Sequence, residues 1–114
     1  MSEHTHCPCT SNCPLQKSME VLGGKWKLSI LCSLNADGAT RYNDLKRKLS
    51  GISNTMLVKS LRELEEAGLV IRKEYLEIPV RVEYETTDLM TELLPILGSL
   101  AAWGMKLPKE IKTE

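Results

Sequence analysis

The 114-residue sequence predicts a single α+β domain, mainly α, on the basis of two observations. Apolar residues recur at helical spacing over most of the chain, and they alternate with polar residues only at residues 69–85. This alternation directly follows two short helical segments joined by a glycine-containing turn. A β-hairpin behind a helix-turn-helix is the winged helix-turn-helix plan. The predicted order is therefore helix, helix, helix-turn-helix, β-hairpin wing and a long C-terminal dimerisation helix.

Two helices are predicted on either side of Gly23–Gly24. Pro14 suits the first position of a helix, because the N–H that it lacks would have no partner there. The second helix is expected over residues 25–34, where the apolar residues again follow a helical period. Cys32 lies within this apolar stretch, and we expect it to be a small core residue.

The helix-turn-helix is predicted over residues 41–67. Thr40 is expected to cap its first helix, which ends at Leu49. After a turn at residues 50–52, Ser53 is expected to cap a second helix, and Gly68 ends that helix.

The wing and the last helix complete the domain. Strands are predicted over residues 69–75 and 80–85, and a helix from Thr87 to about Leu107. That helix is apolar on two sides, whereas a surface helix needs one apolar stripe. Because so small a chain has little else to cover the second side, we expect a twofold homodimer, although a well-buried core helix is the alternative. The candidate dimerisation residues are Leu15, Met19, Leu93, Leu97, Leu100 and Trp103.

Positive charge is concentrated on the predicted helix-turn-helix and wing. Fifteen Lys and Arg residues balance fifteen Asp and Glu residues, so the formal net charge is zero. Residues 41–73 hold eight basic and four acidic residues, a net charge of +4. This distribution is typical of a protein that binds double-stranded DNA.

The second helix of the helix-turn-helix carries residue types that suit a major groove. Thr55, Lys59 and Arg62 share the side opposite its leucines, and Asn54 at its start is a candidate for contacting adenine. In the alternative, these side chains form only a solvated helix face. An ion pair at i,i+4 with Glu66 is expected to hold the side chain of Arg62. The candidate DNA-binding residues are Arg41, Ser53, Asn54, Thr55, Lys59, Arg62 and Arg81.

Arg81 is the candidate contact from the wing. It lies close to Pro79 near the wing tip, where a long cation suits a minor groove. The equal alternative to this minor-groove contact is that Arg81 is an ordinary exposed arginine of the strand. Arg41 opens the first helix of the helix-turn-helix, beside the second helix that is expected to enter the major groove. Arg41 is expected either to contact a DNA phosphate or to be an ordinary surface charge.

Several classes of protein are disfavoured by the sequence. No Gly-rich phosphate loop or catalytic carboxylate pair is recognisable, so we expect neither an enzyme nor a cofactor. The longest apolar segment, residues 93–105, is shorter than the roughly 20 residues of a membrane span, and no secretory signal opens the chain. The expectation is a cytoplasmic protein without a membrane contact. We divide it into a flexible Cys- and His-containing tail (1–12), the domain (13–107) and a polar C-terminal tail (108–114).

A set of short motifs resembles the HxlR-type winged helix-turn-helix regulators, which are relatives of the MarR-like winged-helix proteins. The motifs are Cys13–Leu15, Gly23–Lys27, Arg41–Leu45, Gly51–Ser53, Met56–Leu57, Leu61–Glu65, Gly68–Val70, Pro79 and Arg81–Tyr84. The resemblance implies a homodimeric transcription factor of bacteria or archaea. It also implies a response to electrophiles or oxidants, since several such proteins sense them through a cysteine placed like Cys13.

Cys13 is accordingly the candidate redox-sensing residue. A thiol at a helix N-terminus has a lowered pKa, and a sensor thiol must be accessible. Oxidation is expected to join Cys13 to a second thiol in a disulfide, and Cys7 and Cys9 are the candidate resolving thiols. A disulfide between the two Cys13 residues of a dimer is the other possibility. In the alternatives, Cys13 only caps the first helix, or a metal ion binds the candidate ligands His4, His6, Cys7, Cys9 and Cys13.

The prediction is thus a sequence-specific transcriptional regulator, more a repressor than an activator. It binds a pseudo-palindromic operator as a homodimer, with a small electrophile or oxidant as inducer. The alternatives are a winged-helix adaptor for protein interactions and a metal-responsive regulator using the N-terminal His/Cys cluster.

Overall fold

The computed structural model describes residues 13–109, which form five helices and one three-stranded antiparallel sheet. The elements are, in order, α1 (Pro14–Leu22), α2 (Lys27–Asp37), β1 (Thr40–Arg41), α3 (Tyr42–Lys48), α4 (Asn54–Glu66), β2 (Val70–Tyr75), β3 (Arg81–Thr86) and α5 (Asp88–Gly104). The winged helix-turn-helix plan is confirmed, with α3 and α4 as the helix-turn-helix and β2–β3 as the wing. No helix within residues 13–109 is long and apolar enough to cross a membrane.

The expected helix cap at Thr40 is wrong, because Thr40 belongs to a third strand. Thr40 pairs with Tyr84 of β3, and its buried hydroxyl donates a hydrogen bond to the carbonyl oxygen of Gly38 at 2.8 Å. Arg41 is instead the N-terminal cap residue of α3. A two-residue strand has no periodicity of its own, so only its pairing with the distant β3 identifies it.

The core is built where α2 and α4 pack on the sheet. Leu57, Leu61 and Leu64 of α4 are each at most 1% exposed, and they join Ile30, Leu31 and Leu34 of α2 in one hydrophobic cluster. The predicted N-cap of α4 is confirmed, since the Ser53 hydroxyl accepts a hydrogen bond from the N–H of Met56 at 3.1 Å. Gly51 has a φ of 92° in the turn before it, a conformation that residues with a Cβ rarely adopt.

Cys32 is not a core residue, contrary to the expectation. Its thiol is free and its side chain is exposed, although Leu31 beside it is fully buried. At 100° per residue, Cys32 lies about 150° around α2 from the centre of the face that carries Ile30, Leu31 and Leu34. An apolar neighbourhood in sequence therefore does not place a helical residue on the buried face.

Helix α5 buries little of its apolar surface within the protomer. Met90 is its only fully buried residue within the described chain, while Leu93 and Leu97 are partly buried against the core. Helix α1 has no fully buried residue, and it lines one groove together with α5. The exposed large apolar residues of these helices and the turn after α5 are Leu15, Met19, Leu89, Leu94, Ile96, Leu100, Trp103, Met105 and Leu107.

The packing of α4 makes a prediction for two adjacent residues. Leu57→Ala should lower the free energy of unfolding by about 2–5 kcal/mol, because it leaves a cavity in the core. Val58→Ala, the matched control one residue on, should change it by at most about 0.5 kcal/mol, because Val58 is 43% exposed. Urea unfolding at one fixed protein concentration measures both. Equal losses in the two variants would contradict the rotation of α4 described above.

Candidate nucleic-acid interface

The exposed side of α4 presents an open, nearly flat surface to solvent. Thr55, Lys59 and Arg62 line it together with Asn54 and Val58. The structure thus brings together four of the residues that the sequence indicated. Val58 was missed, although its spacing pointed to it: it lies three residues after Thr55 and four before Arg62, positions that adjoin on a helix. A valine there offers an apolar surface to a thymine methyl group.

The first turn of α4 is held by hydrogen bonds. The hydroxyl of Tyr42 donates to Asn54 Oδ1 at 2.9 Å, which links α3 to the start of α4. Burial, followed by the charge of Tyr84, raises the pKa of Tyr42, so the phenol stays neutral and remains a donor. Ser53 uses its hydroxyl oxygen as the cap of α4, leaving the hydroxyl hydrogen free to donate to a phosphate.

The cations of α4 are paired differently from the expectation. The i,i+4 pair between Arg62 and Glu66 is not formed, and neither side chain makes an ion pair within residues 13–109. Lys59 Nζ instead lies 3.8 Å from Glu63 Oε2. At that distance Lys59 is only loosely held, so both basic residues on the exposed side of α4 can reach a ligand.

Glu63 connects α4 to α2. Glu63 Oε1 lies 2.8 Å from Lys27 Nζ, and the side chain of Lys27 is only 14% exposed. The hydrogen bond from Lys27 is the main cause that lowers the pKa of Glu63. Lys27 Nζ also donates to the carbonyl oxygen of Glu20 in α1 at 3.3 Å. One ammonium group therefore ties the end of α1 to the helix that carries Lys59.

Helix α3 and the residue before it contribute positive charge unevenly. Arg47 pairs with Asp44 and Lys48 pairs with Asp37, so both of these cations are neutralised. Within the described chain Arg41 makes no ion pair, and its side chain is exposed at the start of α3. Arg41 is therefore available to a phosphate.

The wing neutralises its own cations. Lys73 Nζ lies 2.6 Å from Glu85 Oε2, which raises the pKa of Lys73, and Arg72 Nη1 lies 3.5 Å from Glu74 Oε1. The net charge of +4 over residues 41–73 therefore overstates the charge available to DNA, because Glu74 and Glu85 lie outside that range and oppose it.

Arg81 is held inside the wing. Its guanidinium group stacks on the ring of Tyr75 at 4.2 Å and pairs with Glu77 at 3.0 Å and with Glu83 at 3.6 Å. Its side chain is only 28% exposed. The wing tip presents apolar side chains instead, since Leu76 is 90% exposed and Ile78 is fully exposed. The sequence around Pro79 did not indicate these contacts, because Tyr75 becomes a neighbour of Arg81 only through strand pairing and Glu77 reaches it only through the fold of the loop.

Cys13 is the N-terminal cap residue of α1. It is disulfide-bonded and only 4% exposed, so the accessible thiol expected from the sequence is not present in this conformation. The candidates His4, His6, Cys7 and Cys9 lie outside the described residues. Residues 13–109 contain no group of three His, Cys, Asp or Glu side chains placed to hold a metal ion.

Comparison with known proteins places this architecture in a family. Residues 21–112 match the HxlR-like helix-turn-helix family. The chain is 45% identical over 93 residues to YkvN, an uncharacterised HTH-type transcriptional regulator of Bacillus subtilis, covering 82% of this chain and 78% of YkvN.

Two solved structures are similar over nearly their whole length. The redox regulator HypR in its oxidised form is 36% identical with a TM-score of 0.73, covering 86% of this chain and all of HypR. The reduced form of the transcriptional regulator YodB from B. subtilis is 30% identical with a TM-score of 0.77, covering 88% of this chain and 98% of YodB. The chain is thus a member of the HxlR-like helix-turn-helix family of DNA-binding transcriptional regulators.

Proposed function

We propose that this regulator binds a pseudo-palindromic operator as a homodimer, with α4 of each protomer in a major groove. The observation that carries the proposal is the division of α4 into two sides. Leu57, Leu61 and Leu64 hold one side in the core, while Thr55, Lys59 and Arg62 are exposed on the other. Only one side of the helix is therefore free to contact DNA, and it carries the polar and basic residues.

The proposed contacts divide into those that read bases and those that position the protein. Asn54, Thr55, Lys59 and Arg62 lie on the exposed side of α4 and contact base edges or nearby phosphates. Ser53 and Arg41 contact phosphates, because they lie at the start of α4 and α3. For Arg81 we propose a supporting role, because its contacts with Tyr75, Glu77 and Glu83 hold the base of the wing tip.

The dimer is proposed to form through α1 and α5. Leu15, Met19, Leu100 and Trp103 are each more than half exposed in the protomer, and the other exposed apolar residues of α5 lie on the same helix. Large apolar side chains gathered on exposed helices are typical of an interaction surface. Leu93 and Leu97, which are partly buried against the core, form the inner border of this surface. A twofold axis here pairs two α4 helices, as a pseudo-palindromic operator requires.

Repression is the proposed outcome of binding, since a dimer on promoter DNA excludes polymerase from the same site.

The experiment that tests the function is a gel shift with genomic fragments at two salt concentrations. Specific, salt-sensitive binding supports a DNA regulator. Absence of binding to duplex DNA would instead favour the adaptor for protein interactions. Transcription in vitro from a bound promoter then measures the sign of regulation.

Cys13 is proposed as the redox input, and the known redox regulator HypR supports this choice. Oxidation converts two thiols to a disulfide and passes two electrons and two protons to the oxidant. Cys13 directly precedes α1, α1 lines a groove with α5, and Lys27 ties the end of α1 to Glu63 of α4. A change at Cys13 therefore has a continuous path to both the proposed dimer surface and the reading helix.

Lys59→Ala should weaken operator binding at least about 10-fold, because it removes a cation from the reading side of α4. If Lys59 contacts phosphate, the slope of log K against log salt should also fall by about 2 per dimer, since each contact contributes about 0.9. Fluorescence anisotropy with labelled operator measures both quantities. Lys109→Ala, the matched control beyond α5, should bind as the wild type does. Wild-type affinity in Lys59→Ala would contradict the proposed orientation of α4.

Leu100→Glu should raise the dimer dissociation constant at least about 100-fold. Each dimer loses two buried leucines, each worth about 1.5–3 kcal/mol, and gains two buried charges. Sedimentation equilibrium measures the constant. Leu76→Glu makes the same change at the wing tip and should remain dimeric. An unchanged dissociation constant in Leu100→Glu, or an equal rise in Leu76→Glu, would overturn the assignment of the interface.

Cys13→Ser should bind the operator as the reduced wild type does, but diamide should no longer change its affinity. Cys32→Ser, which removes the exposed thiol of α2, should keep the full response to diamide and its reversal by dithiothreitol. Anisotropy titrations before and after each reagent report the response. Persistence of the response in Cys13→Ser, or its loss in Cys32→Ser, would place the sensor elsewhere.

A further inference from the structure

One hydrogen bond joins the two helices of the helix-turn-helix at the residue where α4 begins. The hydroxyl of Tyr42 in α3 donates to Asn54 Oδ1 at 2.9 Å. The ring of Tyr42 is partly buried against the core, so its hydroxyl is presented to Asn54 from a fixed position. Because burial raises the pKa of Tyr42 above its ordinary value, the hydroxyl keeps its proton and remains a donor.

This hydrogen bond selects one of two orientations of the Asn54 amide. A carboxamide has nearly the same shape when it is turned over, and its oxygen and nitrogen then exchange places. A phenol is a stronger hydrogen-bond donor than acceptor, so Tyr42 stabilises the orientation in which the amide oxygen is next to it. The amide nitrogen then lies on the other side of the group, and within residues 13–109 it has no hydrogen-bond partner. Its two N–H groups are therefore available to a ligand.

The position of Asn54 places this amide where a helix-turn-helix protein reads bases. Asn54 is the first residue of α4, and its side chain is exposed. Residues at the N-terminus of the second helix contact base edges in the major groove. An unrestrained asparagine suits adenine, because its oxygen accepts from N6 and its nitrogen donates to N7. In this chain the oxygen already accepts from Tyr42, so pairing with adenine requires that this hydrogen bond be shared or broken.

Guanine is the base that suits an amide held as a donor. It presents two adjacent acceptors in the major groove, O6 and N7, whereas adenine and thymine each present one acceptor and cytosine presents only a donor. We infer that Tyr42 is a specificity-determining residue, which positions the Asn54 amide so that α4 selects guanine over adenine at the base that Asn54 contacts. This inference rests on the proposed function and deepens it by assigning the chemistry of one base contact.

Selection of bound duplexes from a randomised DNA library tests the inference, with wild-type protein, Asn54→Ala and Tyr42→Phe in parallel. The base pair at which Asn54→Ala loses its preference is the one that Asn54 reads. Wild-type protein should prefer guanine to adenine there by at least about 5-fold, since one hydrogen bond is equivalent to roughly 2- to 12-fold in binding. Fluorescence anisotropy with two duplexes that differ only at that base pair measures the ratio.

Tyr42→Phe should change the preferred base and not only the affinity. It keeps the aromatic ring against the core and removes the hydroxyl, so the Asn54 amide is free to turn over and pair with both N6 and N7 of adenine. The preference should therefore reverse to adenine by at least about 5-fold, because a bidentate contact then forms. A purely structural role for Tyr42 would weaken binding to all duplexes alike and would leave the preferred base unchanged.

Two further variants are the controls. Tyr75→Phe removes a hydroxyl in the wing from a ring that packs on Arg81, and it should keep the wild-type base preference. The double variant Tyr42→Phe with Asn54→Ala should show the same preference as Asn54→Ala alone, because Tyr42 acts through the Asn54 amide.

The outcomes separate the inference from the proposed function. If wild-type protein selects no sequence, the proposed function fails and the inference fails with it. Selection of one sequence, with the same base preferred by wild-type protein and Tyr42→Phe, would overturn the inference alone. A wild-type preference for adenine, or the absence of any base pair that depends on Asn54, would also overturn it. An effect of Tyr42→Phe that persists in the double variant would show that Tyr42 acts through another residue, which contradicts the inference.

Discussion

The burial of one side of α4 is the constraint on which the rest of the molecule depends. Leu57, Leu61 and Leu64 are packed against α2 with almost no exposed surface, so the helix cannot rotate without opening the core. Its rotation in turn fixes which residues face solvent. The polar and basic side of α4 is therefore positioned by leucines that are themselves buried in the core.

Ion pairing decides how much of the positive charge is available to DNA. The wing cations Lys73 and Arg81 lie against acidic side chains, while Arg41 and Arg62 have no such partner within residues 13–109. Within residues 41–81, the basic side chains without a close acidic partner therefore lie on α4 and on or directly before α3. A count of charges along the sequence cannot separate these two populations, because partners such as Lys73 and Glu85 are brought together by strand pairing.

Glu63 gives the recognition helix a connection to the N-terminal part of the fold. Its carboxylate accepts a hydrogen bond from Lys27, which also donates to the carbonyl oxygen of Glu20 in α1. The same carboxylate lies near Lys59 of α4. The contacts of Lys27 that join α1 to the helix-turn-helix therefore pass through the carboxylate of Glu63.

The sequence by itself determined the order of the five helices and the wing, and it identified the polar and basic residues on the exposed side of α4, though not Val58. Local signals are sufficient for this, because the cap at Ser53, the glycine at the end of α4 and the spacing of its leucines all act within a few turns of chain. The short motifs also identified the family. The two-sided apolar character of α5 was equally visible, and the structure agrees in leaving Leu100 and Trp103 exposed in the protomer.

Only the tertiary structure decided the third strand at Thr40, the exposure of Cys32, the Lys27–Glu63 contact and the restraint of Arg81. Each depends on which distant segment lies beside a residue. Thr40 is a strand residue because Tyr84 lies next to it, and Arg81 is held because the hairpin brings Tyr75 and Glu77 to it. Short-range periodicity carries no information about such neighbours, so these features follow from packing and not from pattern.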